Sequence, residues 1–230
     1  MDLQYIGTLL PSLLSGTVMT LKIFVLTLAF SLPLGLPFAL AAISRLRPLR
    51  FLSKTYIWVF RGTPLMLQLF FVYYGLPILA QKIGPAWAQL LRMDNVTAAV
   101  VTFTLNYAAY FAEIYRAGVQ SIDAGQHEAA KTLGFTRWQT MRLIILPQTL
   151  ARVVPPVSNE VITLVKDTAL VTAIGVAELL KAAKDANNRD VNPTAFFAAA
   201  VIYLLLTFVL TLVSQWCEKR FSRHEQTQEG

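Results

Sequence analysis

The chain contains five stretches in which apolar residues dominate for about twenty positions or more. They cover residues 17–43, 56–79, 96–117, 156–180 and 195–216. A helix needs about 20 apolar residues to cross the hydrocarbon core, and only a helix satisfies every backbone polar group of a segment within lipid. The pattern therefore predicts an all-α, multi-spanning membrane protein with five transmembrane helices, organised as a single domain over residues 1–230.

The N-terminal region is predicted to remain in the mature protein. It lacks the basic start of a signal peptide, and the first apolar stretch, interrupted only by Lys22, is too long for a cleavable one. Apolar residues also recur at helical spacing before that stretch, which predicts a short helix lying on the outer membrane surface. These residues are Tyr5, Ile6, Leu9, Leu10, Leu13 and Leu14.

Basic residues indicate which connections face the cytoplasm. The connection between the first two stretches holds Arg45, Arg47, Arg50 and Lys54 and no acidic residue. The third-to-fourth connection holds Lys131, Arg137, Arg142 and Arg152, and the C-terminal tail holds Lys219, Arg220 and Arg223. The other two connections carry fewer basic residues: Lys82 and Arg92 in one, and Lys181, Lys184 and Arg189 in the other. We therefore expect the N-terminus outside and the C-terminus inside.

Composition agrees with a membrane protein. The chain is 55% hydrophobic and 14% charged, and its mean hydropathy is +0.53. The net charge of +7 suggests either a nucleic-acid partner or cytoplasmic anchoring of the spans. We favour anchoring, with lipid and not nucleic acid as the partner. A single cysteine, Cys217, precludes an intrachain disulfide.

The connection over residues 121–147 is long for a loop and is predicted to form two short helices. The first follows capping residues at 121–123 and ends at Gly134, and the second opens with a capping box over 136–139. Ala129 and Ala130 leave a smooth face onto which another protein could close. An ordinary interfacial helix is the alternative.

This connection resembles the EAA loop found in permease subunits of binding-protein-dependent ABC importers. The matching residues are Glu128, Ala129, Ala130, Gly134, Ile144, Leu146 and Pro147, at the family's spacing without a gap. Further segments resemble the polar amino acid branch of that family, with Ala169 standing where a serine is usual. They are Gly16-Thr17, Thr20-Leu21-Lys22, Arg61-Gly62-Thr63-Pro64-Leu65, Asn159-Glu160 and Lys166-Asp167-Thr168-Ala169-Leu170.

The resemblance implies a coupling mechanism and a set of partners. Glu128, Ala129, Ala130 and Gly134 would contact a cytoplasmic ATP-binding cassette ATPase. A second permease copy or homologue would complete the translocation path, and a periplasmic or lipid-anchored binding protein would deliver the amino acid substrate. The implied location is the bacterial cytoplasmic (inner) membrane. ATP and Mg²⁺ would bind to the partner ATPase, and no cofactor to this chain.

Polar residues within the second and fourth stretches are the candidate substrate contacts, because ionisable groups are costly in a membrane. Arg61 is either a structural anchor or a substrate contact. Pro64 cannot donate a helical hydrogen bond, so backbone groups beside Pro64 and Leu65 either bind substrate or simply form a kink. Glu160, with Thr163 one turn away, either binds a substrate cation or pairs with Arg61.

Two further charged groups have structural interpretations. Asp167 is predicted to cap a half-helix restarting at Thr168. Glu113 and Arg116, three residues apart, are predicted to form a helical ion pair.

The sequence does not indicate an enzyme. It contains no phosphate-binding loop of the Gly-x-x-x-x-Gly-Lys-Ser/Thr type, so any ATP hydrolysis belongs to a partner. His127 and His224 lack metal-ligand spacing, so we predict no metal site and no catalytic residue. An ion-gradient-driven secondary transporter or channel using Glu160 and Asp167 is the main rival, although no internal repeat supports it. A purely structural membrane scaffold would leave the 128–147 motif unexplained.

Overall fold

A computed structural model describes residues 3–222, and this part of the chain is almost entirely helical, without β-strands. The predicted all-α class is therefore confirmed. Arg223 and His224 lie outside the described residues. The longer helices are α1 (Leu3–Ile43), α2 (Arg47–Gly62), α6 (Asn95–Gln120), α9 (Leu146–Asp167), α10 (Leu179–Asp190) and α11 (Thr194–Ser222). The shorter ones are α3 (Leu65–Phe70), α4 (Leu76–Gln81), α5 (Pro85–Leu91), α7 (Ala124–Thr132) and α8 (Arg137–Gln139).

Two of the described helices are long and apolar enough to cross a membrane, Tyr5–Ile43 and Thr194–Phe221. A third span results if α2 is counted together with the helical run Leu65–Gln81. Polar side chains lower the mean hydropathy of α6 and α9. Several of these side chains face a cavity between α2, α6 and α9. Five spans therefore remain a prediction for this chain.

The first helix differs from expectation. We predicted a separate surface helix before the first span, but α1 is one continuous helix of 41 residues. Leu9 and Leu13 are each only 1% exposed and pack against α10 and α11. Protein packing therefore explains Leu9 and Leu13, whereas Leu10 and Leu14 are 43% and 52% exposed.

The second stretch is not a continuous helix. Between α2 and the run Leu65–Gln81 the chain bends by 105°. The break lies at Thr63 and Pro64, whose backbones are both extended. Pro64 explains the position of the break, because proline disfavours a helical conformation in the residue before it. A π-helical turn over Phe71–Gly75 then joins α3 to α4.

The fourth stretch also has different bounds from those predicted. Helix α9 begins at Leu146, ten residues before the predicted start (156 − 146), and continues through Pro155 and Pro156. A 3₁₀ segment over Thr168–Ile174 follows, and Gly175, at φ 80°, ends it. Glu178 caps α10, and Leu179 and Leu180 are its first two residues, so residues 178–180 do not belong to the fourth stretch.

Helix α6 lies at the centre of the molecule and packs most extensively against α1. Phe103 and Phe111 are fully buried in this core. Small residues bring the helices close: a Cβ on Gly35 of α1 would lie 2.9 Å from the Cβ of Phe111. The α1–α6 pair therefore forms the scaffold on which the other helices are arranged.

A buried carboxylate joins the elements at the start of α10. The Glu178 side chain is fully buried and accepts hydrogen bonds from the N–H groups of Leu180 (2.8 Å) and Lys181 (2.7 Å). The hydroxyl of Tyr203 on α11 donates to the same carboxylate at 2.8 Å, and Thr172 also donates to it. Helix α10 is thereby fixed to α11 and to the 3₁₀ segment.

At its other end α10 is tied to the start of α1. The Tyr5 hydroxyl donates to Asp190 at 2.9 Å. Hydrogen bonds from Arg189, and then from Tyr5, lower the pKa of Asp190 to about 2, so this carboxylate is ionised at neutral pH. Both ends of α10 are therefore held by carboxylates that the sequence analysis did not single out.

Candidate functional site

A cavity of about 490 Å³ lies between α2, the start of α3, α6 and α9. All five predicted substrate contacts line it: Arg61, Pro64, Leu65, Glu160 and Thr163. The sequence analysis did not place the remaining lining residues at this site: Gly62, Thr63, Asn106, Tyr107, Tyr110 and Asp167. The fold thus brings together residues that are about 100 positions apart in the sequence.

The cavity lies near the middle of the longest internal helix. At 1.5 Å per residue, Asn106 is about 17 Å from the start of α6 and about 21 Å from its end. Asn106 is 4% exposed and Tyr107 is 2% exposed. Asn106, the single amide side chain within the predicted span 96–117, was the signal that could have identified this wall of the cavity.

Side chains hold the helix break at Thr63 and Pro64. The carbonyl of Phe60 accepts hydrogen bonds from the side-chain amides of Gln68 (2.9 Å) and Asn106 (3.1 Å). The Gln68 amide also donates to the carbonyl of Thr63 at 3.1 Å, and its oxygen accepts from Asn106 at 3.0 Å. The carbonyls of Phe60 and Thr63 are therefore satisfied within the protein.

The N–H groups at the start of α3 are in a different situation. Pro64 occupies the N-cap position of α3 and provides no side-chain hydrogen bond. The first N–H groups of a helix have no partner within the helix, and together with the helix dipole they favour a negatively charged ligand. Backbone groups beside Pro64 and Leu65 were predicted to be free. The N–H groups at the start of α3 agree with that prediction.

Arg61 contacts the cavity from the end of α2. Its guanidinium lies 3.6 Å from a carboxylate oxygen of Glu113 and 5.3 Å from the ring centroid of Tyr110. Within residues 3–222 its guanidinium forms no direct salt bridge with Glu160, but the two charges still interact electrostatically, so the alternative of a Glu160–Arg61 pair stays a prediction. The predicted Glu113–Arg116 pair is confirmed, with two hydrogen bonds of 2.8 and 2.6 Å.

The two carboxylates of the cavity have different surroundings. Asp167 accepts a hydrogen bond from the Tyr107 hydroxyl at 2.8 Å and caps no helix, so its predicted capping role is wrong. Glu160 forms no hydrogen bond or ion pair with any residue of the described range, and it is half-buried. The Thr163 hydroxyl donates to the Asn159 carbonyl at 3.0 Å, which leaves its oxygen as an acceptor. Glu160 is therefore available to a cation in the cavity.

The connection over residues 121–147 has the predicted two-helix form. The Asp123 carboxylate caps α7 through the N–H of Gly125, at 2.6 Å. Gly134 ends the turn after α7 at φ 80°, a conformation that favours glycine. Thr136 and Gln139 form the predicted capping box, and α8 passes into a π-helical segment, Thr140–Ile145.

The two alanines of the motif face different surroundings. Ala130 is 1% exposed and packs inward, whereas Glu128 and Ala129 are exposed. The predicted smooth face made by both alanines is therefore wrong, because only Ala129 remains on the surface. Leu133 and Trp138 nearby are 74% and 70% exposed, so apolar surface surrounds the exposed alanine.

Comparison with known proteins gives consistent matches. The family model of the binding-protein-dependent transport system inner membrane component matches residues 31–223. The arginine transport system permease protein ArtQ of Bacillus subtilis (strain 168) is 38% identical, over 98% of this chain and 100% of its own length. The glutamine transport system permease protein GlnP of Escherichia coli (strain K12) is 39% identical, over 95% of this chain and 97% of its own.

Solved structures agree with these matches. A structure described as an amino acid ABC transporter with histidines has a TM-score of 0.85 and 33% identity, covering 96% of this chain and 99% of that one. An inward-facing structure of the MetNI methionine ABC transporter has a TM-score of 0.66 and 19% identity over 96% and 99% of the two chains, which shows a shared fold. The chain therefore belongs to the family of inner membrane components of binding-protein-dependent transport systems and is a permease of the amino acid ABC importer type.

Proposed function

We propose that this chain is the membrane subunit of an ATP-driven importer and binds an amino acid in the cavity between α2, α6 and α9. The observation that carries this proposal is the convergence of the charged and broken-helix residues on one cavity near the middle of α6. Ionisable groups at such a depth usually mark a transport path.

The charges of the cavity suggest how an amino acid is held. The α-carboxylate faces Arg61 and the N–H groups at the start of α3, which together provide positive potential. The α-ammonium lies toward Glu160 and Asp167. The cavity has two carboxylates but one arginine, and that arginine also pairs with Glu113. This excess of negative charge favours a substrate with a second positive charge. The cavity therefore fits a cationic amino acid best.

Helix α7 provides the contact for a cytoplasmic ATPase. Its exposed side presents Glu128 and Ala129, Gly134 allows the sharp turn after it, and Leu133 adds exposed apolar surface. Closure of the ATPase around ATP moves α7, and with it α9, which follows through α8 and the π-helical segment. Binding of ATP and Mg²⁺ belongs to that partner.

The remaining partners complete the assembly. A second copy of the chain, or a homologue, forms the other half of the translocation path. A periplasmic or lipid-anchored binding protein delivers the amino acid on the outer side, where the N-terminus lies. The chain lies in the bacterial cytoplasmic (inner) membrane, with its C-terminus on the cytoplasmic side.

Reconstitution into liposomes tests this function. The purified chain is compared with the complex that contains its ATPase and binding protein, using radiolabelled arginine and glutamine with and without ATP. We expect uptake only by the complex and only with ATP. Arginine uptake by the chain alone, driven by an ion gradient, would contradict the proposal and support the secondary-transporter alternative.

A further inference from the structure

A second large cavity, an apolar groove of about 830 Å³, lies between α1 and α6. It shares no lining residue with the amino acid cavity. From α1 the residues Lys22, Leu26, Phe30 and Leu34 line it, spaced four apart and so in one row along the helix. Side chains of α6 from Val96 to Leu105 form the opposite wall.

The groove has the depth of one membrane leaflet. From Lys22 to Leu34 the rise of α1 is about 18 Å, and from Val96 to Leu105 that of α6 is about 14 Å. Half the hydrocarbon thickness of a bilayer is about 15 Å. The groove is therefore long enough for an acyl chain that extends from the headgroup level to the bilayer centre.

Opposite charges lie at one end of this apolar groove. Lys22 is exposed and forms no ion pair with another residue between 3 and 222. Asp94 caps α6 through Oδ1, which accepts the N–H groups of Val96 and Thr97, each at 3.0 Å, while its exposed Oδ2 accepts the Thr97 hydroxyl at 2.5 Å and keeps a further lone pair. A headgroup that carries both an anion and a hydrogen-bonding cation complements this pair.

We propose that the groove is a binding site for a phospholipid with a primary ammonium headgroup, of the phosphatidylethanolamine class. Lys22 contacts the phosphate, Asp94 accepts hydrogen bonds from the ammonium, and one acyl chain lies along Leu26, Phe30 and Leu34. A purely anionic headgroup is disfavoured because Asp94 repels it. A choline headgroup has the right charges but no N–H to donate. This site is independent of the amino acid cavity and of the ATPase contact.

Native mass spectrometry of the full-length chain in mild detergent tests the proposal with three dioleoyl lipids, having ethanolamine, choline and glycerol headgroups. We expect the ethanolamine lipid to be retained about fivefold more than either other lipid. This ratio corresponds to the free energy of one ion pair near a surface. Equal retention of the three lipids by the wild-type chain would overturn the proposal, even if no variant could be purified.

Two substitutions separate the headgroup contacts. Lys22→Gln removes the phosphate contact, and Asp94→Asn removes the charge while asparagine still caps the helix. Asp94→Asn should abolish the preference for ethanolamine, Lys22→Gln should lower the retention of all three lipids, and Lys82→Gln, outside the groove, should change neither. An unchanged preference in Asp94→Asn, or unchanged lipid retention in Lys22→Gln, would overturn the proposal. So would disulfide-linked dimers formed through Phe30→Cys in a Cys217→Ser background, because they would show a second copy of the chain in the groove.

Discussion

Glu160 and Asp167 line the same cavity, yet they are not equivalent. Asp167 is held by the Tyr107 hydroxyl at 2.8 Å, whereas Glu160 has no hydrogen-bond or ion-pair partner in the described part of the chain. A carboxylate without such a partner at this depth is costly unless a ligand or water compensates it. Glu160 is therefore the residue whose charge a cationic substrate should depend on most.

We expect Glu160→Gln to reduce uptake of a cationic amino acid about tenfold to a hundredfold, because a hydrogen bond to a charged group contributes about 1.5–3 kcal/mol. Uptake of a neutral amino acid should fall less. Initial rates in proteoliposomes with arginine and glutamine measure the difference, and Asp185→Asn on the exposed side of α10 is the matched control. Equal loss for both substrates would show that Glu160 binds the shared α-ammonium and does not select the side chain.

Local spacing predicted some residue contacts correctly and others not. Glu113 and Arg116 are three apart on one helix, so helical geometry alone brings them together. The partner of Asp167 is Tyr107, 60 residues away, and no local rule connects the two. The direct salt bridge of Arg61 is likewise with Glu113, on a different helix and 52 residues away in the sequence (113 − 61).

At the scale of elements, α7 shows the difference between a motif and its orientation. The motif predicted a short helix with two small residues, and the helix is present. The two small residues differ in burial: Ala130 packs inward, and Ala129 lies on the surface. Only Ala129 is then available to an ATPase.

Bulky substitutions should distinguish the two alanines. Ala129→Arg should leave the folded chain intact but uncouple ATP hydrolysis from transport, because it obstructs the proposed contact surface. Ala130→Arg should instead destabilise the fold by at least about 1–3 kcal/mol, the usual cost of overpacking, with a further cost for the buried charge. Thermal unfolding and ATP-dependent uptake measure the two effects. Normal coupling in Ala129→Arg would argue against α7 as the docking element.

At the scale of the whole molecule, α9 presents a polar surface that a single chain leaves uncovered. Asn159 and Lys166 are exposed and lie on one side of the helix. The neighbouring Asp167 is bonded to Tyr107 near the middle of α6, so Lys166 lies at a similar depth. A lysine facing lipid at that depth is costly. This surface is therefore expected to face a water-filled path shared with a second copy.

Cysteine labelling in membranes tests that expectation. In a Cys217→Ser background, Lys166→Cys should react with a charged, membrane-impermeant thiol reagent in the assembled transporter. Leu204→Cys on α11, where the native leucine is 69% exposed on an apolar helix, should react at least about tenfold more slowly, because the thiolate is disfavoured in lipid. Similar reactivity at both positions would place Lys166 elsewhere than on an aqueous path.

The amino-acid sequence by itself determined the helical class, the two-helix form of residues 121–147 and three of the polar residues that line the cavity, Arg61, Glu160 and Thr163. These features depend on apolar run length, capping residues and motif spacing, all of which are local. The tertiary structure alone decided the 105° bend, the single continuous α1, and which alanine of the motif is exposed. Such features depend on packing and hydrogen bonds between helices that are distant in the sequence. The hydrogen bond from Asn106 of α6 to the end of α2 is an example. The local pattern of residues does not encode those contacts.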